Sequence, residues 1–574
     1  MPIHNADIAA IFEEIADLLE IEGANPFRIR AYRNAARVVG EYGRELGALL
    51  GQGADLPKLP GIGADLSGKI REIVTTGHCA LLERLRGEVP ASVTELLKIP
   101  GLGPKKVSAL YHDLAVETPE QLLRMAREGR IRQLHGFGEK TEASILQAIE
   151  AHGNKARRYP LAAATQYATA LLAYLQHVPG VHQVTLAGSY RRRRETVGDL
   201  DILVSAVSSS PVMQRFLGYD EVAEILSGGT TRASVILKSG LQVDLRLVED
   251  VSYGAALQYF TGSKQHSIAI RTLAQERGLK INEYGVFQGK TRIAGETEES
   301  VYAAIGLPWI APELREDRGE IEAARAGRLP HLIELADLRG DLHAHTLASD
   351  GHDSLRDMAL AAQARGLTYL AITDHSSRLK VAHGLDPLRF RRQLDEIDRL
   401  NAELAGITLL KGSEVEILED GSLDLPEGLT DRLDIVIGAV HSHFGLPRAK
   451  QTERILRAMD HQRFTLLAHP FGRLINEREP IEVDMQRIIR AARTRGCWLE
   501  LNAQPQRLDL PDTWCQMAKA EGTLVAVNSD AHGTAGFDDL LFGIGQARRG
   551  WLAADDVVNT RSLADLKLLI SATM

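Results

Sequence analysis

Beyond residue 336 the chain repeats one alternation seven times: a short apolar run, then a helix-length segment. The runs are 338–343, 368–373, 407–415, 434–440, 464–468, 497–502 and 523–528. Strands that alternate with helices imply a parallel sheet, since a parallel neighbour is reached only by a crossover. Seven of them predict a (β/α)7 barrel over residues 336–574. Barrel active sites lie at the C-terminal ends of the strands, and the polar residues fall there. His343, His345 and Asp350 follow the first run, and His375 follows the second. Glu414 lies in the third, His441 and His469 close the fourth and fifth, and Asp530 and His532 follow the seventh. A lone histidine is usually a satisfied polar residue, but nine histidines and carboxylates on one rim describe a metal centre. Imidazole mixed with carboxylate suits Zn²⁺, Mn²⁺ or Fe²⁺ better than Mg²⁺ alone. His383 and His443 lie close by, as candidates for substrate contact or for structure.

A second, all-oxygen cluster stands in the middle of the chain. Residues 186–204, LAGSYRRRRETVGDLDILV, read as a strand ending in Gly188-Ser189, a basic connection, and a strand carrying Asp199 and Asp201. Side chains two apart on a strand share a face. A third acid, Asp244, lies in the strand-like run 235–248, VILKSGLQVDLRLV. Like charges about 4 Å apart repel by roughly 4 kcal/mol at an effective dielectric near 20. Such a pair wants a cation, and two oxygen-ligated Mg²⁺ ions about 3.5–4 Å apart would suit it. A small turn facing these acids suits a nucleoside triphosphate held by backbone N–H groups. An isolated Asp-x-Asp is more often a solvated strand end; the Gly-Ser turn, the arginines and the third acid reverse that preference.

The first 83 residues read as helical, with a basic helix carrying Arg28, Arg30, Arg33 and Arg37. Three similar turns follow: Gly61-Ile62-Gly63, Gly101-Leu102-Gly103-Pro104-Lys105 and Gly136-Phe137-Gly138. Each resembles a helix-hairpin-helix turn, where glycines admit a phosphate to the N-terminus of the next helix. Repeated three times, the pattern points to DNA backbone contact without base readout. The net charge of −9 seems to oppose this, but its excess lies beyond residue 318 and the preceding chain is nearly neutral. Three cysteines, Cys79, Cys497 and Cys515, with no Cys-x-x-Cys pair, fit a reducing cytoplasm. The N-terminus lacks a secretory signal, and no apolar run reaches membrane-spanning length.

Gly188-Ser189-Tyr190-Arg191-Arg192, Gly198-Asp199-Leu200-Asp201 and Val243-Asp244-Leu245-Arg246 resemble the palm of a family X DNA polymerase. With the histidine-rich rim, the chain is similar to the bacterial type that carries a PHP (polymerase and histidinol phosphatase) domain. The resemblance implies a multidomain α+β and α/β protein. Residues 1–83 are expected as an 8-kDa-like lyase-type domain and 84–160 as a helix-hairpin-helix domain. The palm is expected over 161–250, a nascent base-pair-binding subdomain over 251–318, a linker over 319–335 and a distorted PHP barrel over 336–574.

The resemblance also implies roles. Asp199, Asp201 and Asp244 would hold two Mg²⁺ or Mn²⁺ ions, and Gly188, Ser189 and Arg192 the phosphates of the nucleotide. Tyr259 and Phe260 would line its sugar, Gly262 would let backbone approach it, and Arg271 would reach the template. Lys69, near Tyr32, would be a Schiff-base nucleophile, although Asp65 and Phe27 stand where animal relatives carry lysine and histidine. Ser267 replaces a common asparagine, and Gln242 replaces an arginine that in animal relatives meets the catalytic acids. Three PHP ions would sit at His343, His345, Glu414 and Asp530; at Glu414, His441 and His469; and at Asp350, His375 and His532. The implied activity is gap-filling DNA synthesis in base excision repair or end joining, with 3′→5′ exonuclease action and incision at abasic sites. The substrates would be gapped or nicked duplexes, primer termini and dNTPs. The alternative is a DNA-binding repair scaffold in which only the PHP site is active.

Overall fold

The computed structural model describes residues 5–40, 46–51, 56, 59, 61–89, 93, 96, 102, 104–134, 137–138, 141–142, 145–146, 158–425, 428 and 430–573. The chain divides into two compact units, Met1–Arg158 and Tyr159–Met574. In the first, the helices Asn5–Ile21 and Pro26–Gly40 pack through Ile8, Phe12, Ile15 and Leu19 against Tyr32, Ala36 and Val39. Pro26 opens its helix, where the missing N–H costs nothing. Gly61 takes a left-handed φ of 71° just before the helix Ala64–Thr76, and Gly63 is that helix's extended N-cap. Gly138 is described and its carbonyl accepts Glu142 N at 3.0 Å. Gly101, Gly103, Gly136 and the side chain of Lys105 lie outside the described residues.

The second unit begins with the palm. Its strands are Tyr159–Pro160 (β1), Val181–Leu186 (β2), Thr196–Val197 (β3), Asp199–Ala206 (β4), Val222–Gly228 (β5), Arg232–Leu237 (β6) and Gln242–Val248 (β7). Five form one sheet in the order β2-β4-β7-β6-β5. The helix Leu161–Gln176 seals one face with Ala164, Ala168, Leu171 and Leu175. β4 and β7 are parallel and in register, Asp201 beside Asp244 and Asp199 beside Gln242. Two details differ from expectation. The first strand stops at Leu186, and Gly188–Arg191 is one helical turn. The run 235–248 is a hairpin rather than one strand, because Gly240 turns the chain at a φ of 86°. The connection from β4 to β7 contains the helix Val212–Leu217, β5 and β6.

Next come the helices Tyr253–Thr261 and Lys264–Glu276 and a meander of Leu279–Asn282 (β8), Gly285–Gln288 (β9) and Thr291–Ala294 (β10). The helix Glu298–Ala304 follows, and its first residue joins this subdomain to the palm. Buried Glu298 accepts both Nη atoms of Arg191 at 2.8 and 2.7 Å, Arg315 Nη1 at 2.6 Å and Trp309 Nε1 at 3.0 Å. Burial alone would raise its pKa, but Arg315 and Arg191 outweigh that and hold it at about 2. A carboxyl whose pKa is depressed by folding stabilises above its unfolded value and loses that contribution as pH falls towards the folded one. Glu298→Gln is therefore expected to destabilise by about 3 kcal/mol at pH 7, since it strands buried arginines. The gap to wild type should close as pH drops from about 4.5 to about 2. Equal urea midpoints at pH 7 would count against this anchor.

The barrel strands are Gly340–Asp341 (β11), Tyr369–Ile372 (β12), Thr408–Glu416 (β13), Ile435–Ala439 (β14), Leu466–Leu467 (β15), Trp498–Asn502 (β16) and Val525–Asn528 (β17). All neighbours are parallel and run in chain order. A bridge between Ala344 and Ala531, with His345 N donating to Ala531 O at 2.9 Å, joins the first strand end to the last. Cys79, Cys497 and Cys515 are free and buried. Among the described residues no helix is long and apolar enough to cross a membrane.

Candidate active sites

The palm register brings Asp199, Asp201 and Asp244 to one edge of the sheet. Burial, then the charges of Asp199 and Asp244, push Asp201 up to about 7. A carboxyl raised by its own neighbours fits a cation site, because only a positive charge relieves all three at once. Asp244 is oriented from both sides: Ser234 Oγ donates to one oxygen and Gln242 Nε2 to the other at 2.9 Å. Gln242 thus meets Asp244 through a neutral amide. Gly188 is left-handed at 58°, and a Cβ there would sit 2.1 Å from Asp201 Oδ2. Only glycine brings the turn that close.

Arg192 meets the end of the helix Tyr253–Thr261. Its Nη1 donates to Thr261 O at 2.5 Å, and a Cβ on Gly262 would meet that Nη1 at 3.2 Å. Ser189 lies in the same helical turn as Gly188. Tyr259 and Phe260 meet edge to face at 5.1 Å, and the Arg246 guanidinium covers the Phe260 ring at 4.5 Å. Arg271, in the next helix, donates from Nε to Ser267 O at 3.2 Å. In the first unit, Lys69 Nζ lies 2.5 Å from Asp65 Oδ1. Burial would lower the Lys69 pKa, but Asp65 and Tyr32 together raise it.

At the barrel rim the nine residues converge on Glu414. Its Oε2 lies 3.3 Å from His343 Nε2, 3.5 Å from His345 Nε2 and 3.0 Å from His375 Nδ1. Its Oε1 lies 3.2 Å from His441 Nε2 and 2.9 Å from His469 Nε2. Asp530 Oδ1 is 3.2 Å from His345 Nε2, and Asp350 Oδ2 is 3.5 Å from both His375 Nε2 and His532 Nε2. Three sets could each hold an ion: His345, Asp350, His375 and His532; His343, His345 and Asp530; His375, Glu414 and His441. This grouping shares His345 and His375 between sets, and His469 joins through Glu414. His343 Nε2, both ring nitrogens of His345, His375 Nδ1 and His469 Nδ1 are buried without a hydrogen bond. Buried polar atoms are rarely left so, and imidazole lone pairs facing carboxylates fit metal ions. His383 and His443 are exposed, outside this cluster.

Two carboxylates escaped the sequence reading. Fully buried Glu500 accepts His343 Nδ1 at 2.7 Å and His469 N at 2.7 Å. Glu416 pairs with His441 Nδ1 at 3.0 Å. Such partners fix the tautomer and the aim of a ligating imidazole. The available signal was a carboxylate inside an apolar strand, since unpaired Glu is almost never fully buried.

Five family models match: helix-hairpin-helix domain over residues 3–79, SAM-like helix-hairpin-helix tandem over 93–151, DNA polymerase beta palm over 158–236, DNA polymerase beta thumb over 256–316 and PHP domain over 341–504. The palm match ends before Asp244 and the PHP match before Asp530 and His532, so those three stand on geometry. The "DNA polymerase/3'-5' exonuclease PolX" of Bacillus subtilis is 39% identical over 99% of both chains. A "Probable phosphatase" of Acetivibrio thermocellus is 30% identical over 33% of this chain and 78% of its own. One of Thermoanaerobacter sp. matches at 30% over the same shares.

Proposed function

The chain belongs to the bacterial family X DNA polymerases that end in a PHP domain, and from that premise we propose how its two centres divide the work. It is a DNA polymerase with 3′→5′ exonuclease activity, and both centres are metal-dependent. The observation that carries the polymerising assignment is the placing of Asp199, Asp201 and Asp244 together on adjoining strands, where burial and the other two charges raise Asp201.

In our reading Asp199, Asp201 and Asp244 would hold two Mg²⁺ or Mn²⁺ ions, whose charge would favour ionisation of the primer 3′-hydroxyl and offset that of the departing pyrophosphate. The protein supplies the placement. Ser234 and Gln242 keep Asp244 aimed, Gly188 lets the turn approach, and Ser189 and Arg192 receive the terminal phosphates. Tyr259 and Phe260 line the sugar beside Gly262, while Arg271 faces the template. The glycine turns at Gly61–Gly63, Gly101–Gly103–Lys105 and Gly136–Gly138 would contact the DNA backbone. Their repetition in the sequence, within the two helix-hairpin-helix matches, supports gap filling in base excision repair or end joining.

At the barrel, Glu414, Asp530, Asp350 and the six imidazoles would hold three ions, Mn²⁺, Zn²⁺ or Fe²⁺, which activate water for attack on phosphorus. Glu500 and Glu416 keep His343 and His441 aimed. Removal of 3′ nucleotides and incision at abasic sites are both phosphodiester hydrolyses within reach of that chemistry. The Lys69 ammonium, held by Asp65, starts from a protonated state that is a poor nucleophile, so any lyase step must first release it.

One substrate tests these assignments: a duplex with a one-nucleotide gap carrying a 5′-deoxyribose phosphate. Extension should stop after one nucleotide and outpace extension of an open primer by roughly tenfold or more. Borohydride should trap a covalent adduct that Lys69→Ala loses. Equal extension of gapped and open primers would remove the gap-filling role, and trapping that survives Lys69→Ala would remove the lyase.

A further inference from the structure

The palm segment that carries Arg192 is fastened to the barrel as well as to its own sheet. Arg549 ends the barrel helix Leu540–Arg549 and is buried. Its Nη1 donates to the backbone oxygen of Arg192 at 2.8 Å and to Glu316 Oε1 at 2.9 Å, and its Nη2 donates to Asp512 Oδ2 at 2.7 Å. The same Glu316 oxygen accepts Arg192 Nε at 3.0 Å. One carboxylate therefore holds the palm arginine and the barrel arginine together. Three residues further along, Glu195 accepts Arg473 Nη2 at 2.6 Å and Nη1 at 3.3 Å. Arg473 is itself pinned to Arg507 O at 2.9 Å and Leu508 O at 2.6 Å, and lies four residues after His469. Between these anchors the Arg193 side chain lies against Gly545, where a Cβ would come within 3.4 Å of it.

These contacts are long-range and reach Arg192, Arg193 and Glu195; those made by Arg549 and Arg473 are charge-assisted. Guanidinium groups take planar, forked partners and hold an orientation that a lysine would not. Arg192 has little exposed surface of its own, with its side chain only 12% accessible, so its aim depends on what stands behind it. Behind it stand Thr261, Glu316 and, through Glu316, Arg549. Four arginines (192, 194, 318 and 549) share two carboxylates, Glu316 and Asp512. The surplus positive charge lies beside the turn that would receive a polyanionic tail.

We infer that Arg549 and Arg473 of the barrel are positioning residues for nucleotide addition: they clamp residues 192–195 so that Arg192 meets the triphosphate. The barrel is then a structural part of the polymerising site as well as a hydrolytic domain. This rests on the reading that Arg192 binds the terminal phosphates.

The test is single-nucleotide gap filling by the full chain at varied dNTP, with Mn²⁺-dependent 3′-end hydrolysis measured on the same preparations. Arg549→Met is expected to raise the KM for dNTP roughly tenfold while kcat changes less than about threefold, the pattern of lost binding rather than lost chemistry. Glu195→Gln should shift KM the same way by roughly threefold, and Arg549→Lys should fall between wild type and Arg549→Met. Hydrolysis should hold within about twofold in each. If Arg549→Met loses hydrolysis too, it has failed to fold and Glu195→Gln decides. An unchanged KM in the folded variants, with a raised KM in Arg192→Met, overturns the positioning role alone. An unchanged KM in Arg192→Met overturns the phosphate-binding reading on which it stands.

Discussion

Asp244→Asn is expected to abolish nucleotide addition and to leave 3′→5′ hydrolysis intact. The substitution keeps the shape of the side chain and removes its charge from the edge where β4 and β7 set Asp201 beside it. Ser234 and Gln242, which now fix the carboxylate, would face an amide, half of which can only donate. Two acids are then left to hold what three were arranged to hold, and Asp201 loses one of the charges that raise it. A fall in kcat on the order of 10³-fold is expected, the scale seen when one element of a preorganised electrostatic site is removed. The measurement is incorporation of one nucleotide at a gap beside release of 3′ nucleotides, on one preparation. Loss of both activities in a variant that unfolds like wild type would refute two separable centres.

His343→Ala does the reverse. His343 is wholly buried, with Nε2 between Glu414 and Asp530 and Nδ1 held by Glu500. Its removal deletes the nitrogen it would offer an ion and takes one donor from Glu500, which keeps those of Asn502, Asn528 and the His469 backbone. Hydrolysis should fall on the order of 10³-fold, and the purified protein should carry about one metal ion fewer than wild type. Gap filling should stay within about twofold, since the palm acids lie on a different sheet. Full metal content together with full hydrolysis would remove His343 from the centre.

Much of this was legible along the chain because the signals are local. A run of apolar residues announces a strand seven times, and most of the rim residues follow their strand, Glu414 lying within its own; among the described residues no α-helix fills the connection from β13 to β14. Asp199 and Asp201 share a strand, so their common face needs no tertiary knowledge. The residues that were missed are set by register. Ser234 reaches Asp244 only because β6 pairs with β7 opposite it, and the turn at Gly240 that makes this hairpin sits inside an otherwise apolar run. Glu500 reads as one polar residue in a buried strand until the closed sheet places it behind His343. Nothing near Arg192 in sequence announces Arg549, which lies 357 residues away. Local pattern yields elements and first ligands; what steadies those ligands depends on which elements become neighbours.

The seam of the barrel has one more consequence. Ala344 and Ala531, which zip its two ends together, are each flanked on both sides by residues of the cation cluster. A nascent chain emerging from the ribosome therefore carries an incomplete cluster until Asp530 and His532 have been made. Shortening the tail cannot spare the site and sacrifice only closure, because the two are the same few peptide bonds.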